Sequence, residues 1–331
     1  MDYSELTQKL INGNTRAAAR LITFVENDIN AAEIIINSIY KHTGKAYILG
    51  ITGAPGTGKS TFISTLIKNY VDLGKKVGII CVDPTSPLTG GALLGDRIRM
   101  KQLFSLNNVF IRSMANRGQL GGLARATEDV IKILDAYGCD ILIIETVGVG
   151  QSEVDIFKSA HTVVVLLVPG LGDDIQAIKS GIMEITDIFV VNKMDLPGSD
   201  KKEAEIMQML EFRKNYKYDP QVLGEKYAKI GKWTPEITKV NSRTGENFDT
   251  LLELIKKHKK FLEESGVMPN YLENRITNET LQILKHKLTE KVEELLKTNT
   301  DIGNYINQAI QKSLDPYSMA NLIIKMLGLE K

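Results

Sequence analysis

Cysteine is scarce in this sequence. Cys81 and Cys139 are the only two among 331 residues, and they form no C-x-x-C pair. That spacing excludes a zinc ribbon and a thioredoxin-type site. Both lie in or beside apolar runs, Ile79 to Val82 and Ile141 to Ile144, so they read as small core residues. Histidine is thin too: His42, His161, His258 and His286 are scattered and read as surface or packing residues rather than metal ligands. An excess of charge of either sign is missing too. A formal net charge of +1 leaves no bulk electrostatic footprint for nucleic acid, although local basic patches remain possible. No apolar stretch approaches the ~20 residues that span a bilayer. The opening MDYSELTQKLINGN lacks the basic and apolar regions of a signal peptide. The expectation is a soluble, cytoplasmic protein with neither nucleic acid nor membrane as a partner. Internal repeats and low-complexity tracts are absent as well.

What is present is ordinary globular composition, with 43% hydrophobic residues supplying ample material for a large core. Length suggests one large domain with accessory elements, or two domains. Residues 3 to 42 have helical spacing, with Leu6, Leu10 and Ile11, then Ala17 to Leu21, then Ile34, Ile35 and Ile39. They predict two or three short helices, and Asp28-Ile29-Asn30 offers a cap to the last. From residue 46 strands and helices alternate. Strands are expected at Ala46 to Thr52, Val77 to Val82, Ile141 to Glu145, Thr162 to Val168, Ile188 to Asn192 and Ile237 to Val240, with a weaker one at Val109 to Ile111. Helices are expected at Ser60 to Leu73, Leu123 to Tyr137 and Lys201 to Phe212. Continuous Val/Ile/Leu runs mean strands buried on both faces, so the fold class is α/β: a mostly parallel sheet flanked by helices. Strand order is not readable from the pattern. From Phe248 onward the chain reads as helical. Leu281, Leu284, Leu288 and Leu295 lie near one stripe, and a break at Asp315-Pro316-Tyr317 precedes a short final helix.

The strongest chemical signal is Gly53-Ala54-Pro55-Gly56-Thr57-Gly58-Lys59-Ser60, which fits G-x-x-x-x-G-K-[ST] between a strand and a helix. Glycines let backbone amides wrap phosphate oxygens, and the helix N-terminus adds partial positive charge. Lys59 is expected to reach the β- and γ-phosphates, and the Ser60 hydroxyl to ligate magnesium. Magnesium also needs acids at strand ends facing that loop. Asp83, Asp96 and Glu145 are the candidates. Each has a bland alternative as a cap or solvated loop charge, and for Asp96 the two stand level. Glu145-Thr146-Val147-Gly148 resembles the D-x-x-G element of small GTPases, whose glycine amide senses the γ-phosphate. Val149 stands where Ras-type enzymes carry a water-orienting glutamine. The water-orienting group is therefore expected from elsewhere, with slow turnover accelerated by a partner.

Asn192-Lys193-Met194-Asp195 ends an apolar run and fits N-K-x-D, which reads guanine. The Asp carboxylate accepts from the ring N–H and the exocyclic amino group, a pattern adenine does not offer. The lysine stem packs on the base and the asparagine braces the loop. Asn241-Ser242-Arg243 follows the last strand where small GTPases often carry S-A-K. A backbone contact to the guanine carbonyl can survive that change, while a role for a lysine side chain is in doubt. A plain strand-to-helix loop is the alternative. The nucleotide expected is GTP or GDP.

Several longer signatures accompany these motifs. They are Gly50 to Thr61, Val82-Asp83-Pro84-Thr85-Ser86-Pro87, Gly90 to Arg97, Arg117 to Leu123, Glu145 to Glu153, and Pro169-Gly170-Leu171-Gly172-Asp173-Asp174-Ile175-Gln176. Together they resemble the metallochaperone-type GTPases associated with methylmalonyl-CoA mutase, a family also labelled as lysine/arginine/ornithine transport-system kinases. The resemblance covers nearly the whole chain, from the N-terminal helices to Asp315-Pro316-Tyr317. It implies a P-loop GTPase domain over 45–256, preceded by a helical segment at 1–44 and followed by a helical dimerisation segment at 257–331. It implies a homodimer, a cobalamin-dependent acyl-CoA mutase as partner, and GTP hydrolysis coupled to delivery or protection of adenosylcobalamin. It matches Asp83, Asp96 and Glu145 to positions around magnesium. It makes 83–100, 145–160 and 169–181 mobile switches. Gln176 and Lys179, in the third, are candidates to meet the nucleotide once the partner docks. Lys59, Glu145, Gly148, Gln176 and Lys179 are thus the expected catalytic set. The loop Gly53 to Thr61 forms the expected nucleotide site with Asn192, Lys193, Asp195, Asn241, Ser242 and Arg243. The chain has no Asp-x-His-x-x-Gly cobalamin motif of its own, so the partner is expected to carry that cofactor. The alternatives are a kinase of an amino-acid transport system using the same loop, a nickel- or zinc-delivery GTPase (which the lack of Cys/His clusters disfavours), and a non-enzymatic scaffold locked by nucleotide.

Overall fold

The computed structural model describes residues 2–84, 103, 106–116, 122–146, 159–170, 185–215 and 233–328. The chain divides into two compact units, Met1–Ile276 and Thr277–Lys331. In the first, seven strands form one sheet: β1 Tyr47–Gly53, β2 Val77–Pro84, β3 Val109–Asn116, β4 Ile141–Thr146, β5 Thr162–Leu167, β6 Ile188–Asn192 and β7 Glu236–Val240. Their order is β3-β2-β4-β1-β5-β6-β7 and every neighbouring pair is parallel. All seven C-terminal ends therefore share one edge of the sheet. From β1 the chain builds first to one side and then to the other, which places the switch point of the winding beside β1, where open α/β sheets bind ligands.

Alternation along each strand feeds two cores. Ile48, Ile80, Leu142, Ile144, Val165 and Val191 join the core on one face. Leu49, Ile51, Ile79, Cys81, Ile143 and Val190 join the core on the other. Burial on both faces is why these strands read as unbroken apolar runs. The first core is covered by α1 Ser4–Ile11, α2 Thr15–Asn27, α3 Ile29–Ile39 and, after the helix following β1, α5 Gly122–Ala136. The second is covered by α4 Lys59–Asp72 and, beyond α6 Ser199–Asn215, by α7 Phe248–Glu264.

The expected cap at Asp28 is present: its carboxylate accepts from the amides of Asn30 and Ala31 at 2.8 and 3.2 Å. The Asp135 carboxylate of α5 accepts from the amides of Gly44, Lys45 and Ala46, fixing where the chain enters β1. The strand expected at Val109 to Ile111 runs on to Asn116, paired with β2 along its whole length. Its polar second half hid it. Arg112 is not a loop residue; its guanidinium pairs with Glu26 of α2, with Nε 3.1 Å from Oε1.

Helix α8, Val267–Thr298, begins in the first unit. There Arg275 donates from Nη2 and Nε to Oε2 of the buried Glu128 at 2.8 and 3.2 Å, and the Ser159 hydroxyl donates to Oε1. Burial raises the Glu128 pKa, but the charges of Arg275 and Lys132 and the Ser159 bond outweigh it and hold the carboxyl below its ordinary range. Both cysteines are buried, and burial pushes the Cys139 thiol up to about 12. His258 is buried and hydrogen-bonds Thr162 at 2.8 Å, and His161 accepts from the Ile48 amide.

The second unit holds the rest of α8, α9 Thr300–Ile310 and α10 Pro316–Met326. Asp315 caps α10 with Pro316 following, as the break in the sequence suggests. Leu281, Leu284 and Leu288 are 47%, 49% and 44% exposed. Among the described residues no helix is long and apolar enough to cross a membrane.

Candidate nucleotide site

The phosphate-type loop leaves β1 at Gly53 and enters α4 at Lys59. Two of its glycines are required by close approach within the protein itself. A Cβ on Gly53 would lie 2.5 Å from the Leu166 carbonyl oxygen of β5, and one on Gly58 would lie 2.7 Å from Nδ2 of Asn192. Gly58 also holds a left-handed φ of 90° at the start of α4, which side chains disfavour. Thr57 is fully buried and closes the loop: its hydroxyl and amide both donate to the Ala54 carbonyl, at 2.8 and 3.2 Å. Lys59 is buried, with Nζ 2.6 Å from the Gly53 carbonyl oxygen and 3.4 Å from that of Ala54. Its charge is thereby held inside the curl of the loop. Ser60 is half-buried in the first turn of α4, whereas Pro55, Gly56 and Thr61 are exposed.

Glu145 is the penultimate residue of β4 and is 1% exposed. It lies in register with Ile51 of β1 on one side and Cys81 of β2 on the other. By alternation it continues the row of Ile141 and Ile143, on the α4 face of the sheet. The Cys81 thiol donates to Oε2 at 3.9 Å, a weak sulfur contact. Asp83 is the penultimate residue of β2, its backbone paired with Ala115. A serine hydroxyl and a carboxylate at one sheet edge are oxygen donors of the kind magnesium takes, so the residues present fit that ion. Among the described residues no group of three or more His, Cys, Asp or Glu forms a metal cluster. Asp96, Gly148, Val149, Gln176 and Lys179 lie outside the described residues, as do nearly all of the three segments expected to switch.

The guanine-type motif begins at the end of β6. Asn192 is 1% exposed, and its Nδ2 donates to the Thr57 carbonyl at 2.8 Å, directly into the phosphate-type loop. Its Oδ1 accepts from the hydroxyl and amide of Ser242 at 2.7 and 3.2 Å. Lys193 holds a φ of 57°, and its Nζ donates to the Gly56 carbonyl at 2.9 Å. Its stem therefore runs from one loop to the other. Asp195 is exposed at the rim, and its Oδ1 accepts from Nδ2 of Asn241 at 3.0 Å. Asn241 Oδ1 in turn accepts from the amides of Arg243 and Thr244 at 3.0 and 3.4 Å. The Ser242 and Arg243 amides thus donate within the loops. The Arg243 side chain is exposed and Asn241 braces Asp195.

Thr57, Gly56, Asn192, Lys193 and Ser242 are therefore tied together by hydrogen bonds, and the Asp195–Asn241 pair adjoins them along the chain. The sequence motifs do not point to Thr65. Its hydroxyl, on α4, donates to the Ser242 carbonyl at 2.7 Å. A threonine at an ordinary helical position carries no signal of such a contact.

Comparison with known proteins gives a family. The family described as methylmalonyl Co-A mutase-associated GTPase MeaB matches residues 18–297. A protein of Pyrococcus horikoshii, provisionally named a GTPase, is 52% identical over 98% of this chain and 98% of its own length. GTPase ArgK of Escherichia coli is 31% identical over 93% of this chain and 90% of its own. A crystal structure described as LAO/AO transport system kinase superposes with a TM-score of 0.67 at 23% identity, covering 98% of this chain and 97% of that one. At that identity it speaks for the fold.

Proposed function

The chain belongs to the MeaB family of methylmalonyl Co-A mutase-associated GTPases, and from that premise we propose that it is a magnesium-dependent GTP hydrolase serving as chaperone to an adenosylcobalamin-dependent acyl-CoA mutase. One observation carries the hydrolase part. Asn192, opening the guanine-reading motif, hydrogen-bonds Thr57 inside the phosphate loop at 2.8 Å, so a base and a polyphosphate are gripped as one ligand.

Phosphoryl transfer needs positioning and charge stabilisation more than covalent chemistry. Loop amides and Lys59 hold the β- and γ-phosphates; for this, Nζ exchanges the Gly53 and Ala54 carbonyls for phosphate oxygens. Asp195 accepts from the guanine ring N–H and amino group, with its other face held by Asn241. Ser60 and Glu145, with Asp83 and Asp96, would hold magnesium, which when bound supplies positive charge to the phosphate oxygens. Gly148 reports the γ-phosphate to the segment that follows. Val149 does not orient water, so Gln176 and Lys179 complete the site when the mutase docks.

The mutase role draws support from the family's description. We further propose that the protein is cytoplasmic and that residues 257–331 form a dimerisation segment. The exposed leucines Leu281, Leu284 and Leu288 support that assignment, because large apolar side chains on one stripe are stabilised by burial against a second copy. The test is co-purification with a cobalamin mutase and GTP, followed by turnover with and without it. Stimulated phosphate release that falls with Gln176→Ala or Lys179→Ala is expected. Stimulation unchanged in both variants would remove those residues from the mechanism. No mutase binding would remove the partner. Radiolabel from the γ-phosphate appearing on protein would favour the transport-kinase alternative.

A further inference from the structure

Hydrogen bonds between the two loops close into a ring through a residue outside both motifs. Thr65 Oγ1 donates to the Ser242 carbonyl at 2.7 Å. The Ser242 hydroxyl and amide donate to Asn192 Oδ1 at 2.7 and 3.2 Å. Asn192 Nδ2 donates to the Thr57 carbonyl at 2.8 Å, and Thr57 leads through Gly58 back into α4. Lys193 ties its own loop to the phosphate loop through Gly56, but without Thr65 the side-chain link from Ser242 to that loop runs through Asn192. With it, Ser242 is fixed from both sides.

The Thr65 geometry is selective. A helical serine or threonine ordinarily returns its hydroxyl to the carbonyl four residues back, and Ser64 does so, bonding the Ser60 carbonyl at 2.7 Å. Thr65, its neighbour, turns its hydroxyl out of the helix to a carbonyl 177 residues away in sequence. A Cβ on Gly245 would lie 3.9 Å from the Thr65 methyl, so that methyl faces the far end of the same turn. Gly245 holds a φ of 82°, keeping the turn tight over the threonine. The hydroxyl thus meets Ser242, and the methyl faces the space that a side chain at position 245 would enter.

We propose that Thr65 is a positioning residue for guanine-nucleotide recognition: it closes the ring that fixes the distance between the base-reading loop and the phosphate loop. It touches no part of the nucleotide. Its effect is confined to ligands that engage both loops at once, since a phosphate chain alone does not sense where the base loop sits. The proposal rests on the guanine site proposed for Asp195.

Titration of the full chain with GDP, ADP and inorganic pyrophosphate, each with magnesium, tests it. Wild type, Thr65→Val and Thr65→Ser are compared. Valine keeps the volume and loses the donor; serine keeps the donor. The expected result is a GDP Kd raised about three- to tenfold in Thr65→Val, the scale of one net hydrogen bond. Pyrophosphate affinity stays unchanged, and Thr65→Ser lies within about twofold of wild type. Turnover should show the same split, with KM for GTP raised and kcat at saturation retained. Equal GDP affinity in Thr65→Val overturns the proposal. So does an equal loss for GDP and pyrophosphate, which marks general damage to α4, or a Thr65→Ser variant as weak as the valine. A wild type that binds ADP as well as GDP instead overturns the guanine reading, whatever Thr65 does.

Discussion

Nδ2 of Asn192 lies 2.8 Å from the carbonyl oxygen of Thr57, which joins two motifs separated by 135 residues into one site. The contact is buried, and each partner is tied further: Thr57 to Ala54, and Asn192 to Ser242. Asn192→Ala leaves the Ser242 hydroxyl and the Thr57 carbonyl without their partner. An unsatisfied buried polar group costs about 1–3 kcal/mol. The variant should lose thermal stability, and GDP affinity measured by calorimetry should fall about tenfold or more. Unchanged values for both would mean that the two loops are held together by other means.

Gly58 faces the same asparagine. Its φ of 90° and the 2.7 Å distance from a built Cβ to Asn192 Nδ2 leave no room for alanine. Gly58→Ala combines about 1–2 kcal/mol of left-handed backbone strain with displacement of Asn192. Guanine-nucleotide binding should be lost more completely than stability, as read by calorimetry alongside a thermal melt. Gly56→Ala is the informative control. Gly56 also has a positive φ, of 85°, but nothing lies within 4 Å of its Cβ position, so the defect should be milder.

In the proposed function Asp195 reads the base through hydrogen bonds that an amide reverses in part. Guanine presents a ring N–H and an amino group on that edge; xanthine replaces the amino group with a carbonyl. Asp195→Asn should weaken GDP by about a hundredfold or more and strengthen xanthosine diphosphate, because a site built for particular donors leaves groups unpaired with the wrong base. Competition between the two diphosphates measures this. Retention of the guanine preference would place base reading elsewhere.

Glu128, buried in α5, and the part-buried Arg275 of α8 form an ion pair. Arg275→Ala removes the larger of the two charges that compensate Glu128, leaving Lys132, and should lower unfolding free energy by up to about 3 kcal/mol. Because the Glu128 pKa is lowered in the folded state, the pair contributes stability above the ordinary glutamate range. That contribution is lost as pH falls through the folded value. Denaturant unfolding should therefore show the difference between wild type and variant shrinking toward acid. A difference independent of pH would argue against the ionised pair.

Most of the sheet was legible because strands buried on both faces leave unbroken apolar runs, as at Ile141 to Ile144 and Val163 to Val168. β3 was half-hidden, since Arg112 and Ser113 are polar and their place in a strand depends on α2, which sequence spacing does not reveal. The two loops were legible as motifs because G-x-x-x-x-G-K-[ST] and N-K-x-D fix residue types at fixed spacing. Their clasp was not. Asn192 was expected to brace its own loop, and nothing in the spacing says that it also donates to Thr57, that Asn241 turns to Asp195, or that Thr65 reaches Ser242. Those contacts are set by the order β1-β5-β6-β7, which brings the loops after β1, β6 and β7 to one edge, and strand order is not written in periodicity.

Phosphate release from GTP and from ATP, followed in parallel with magnesium and a candidate mutase, tests the central claim most directly. The account predicts turnover of GTP, background release from ATP, and background release from GTP once Lys59 is changed to alanine. Equal turnover of ATP, or undiminished GTP hydrolysis by Lys59→Ala, would contradict it.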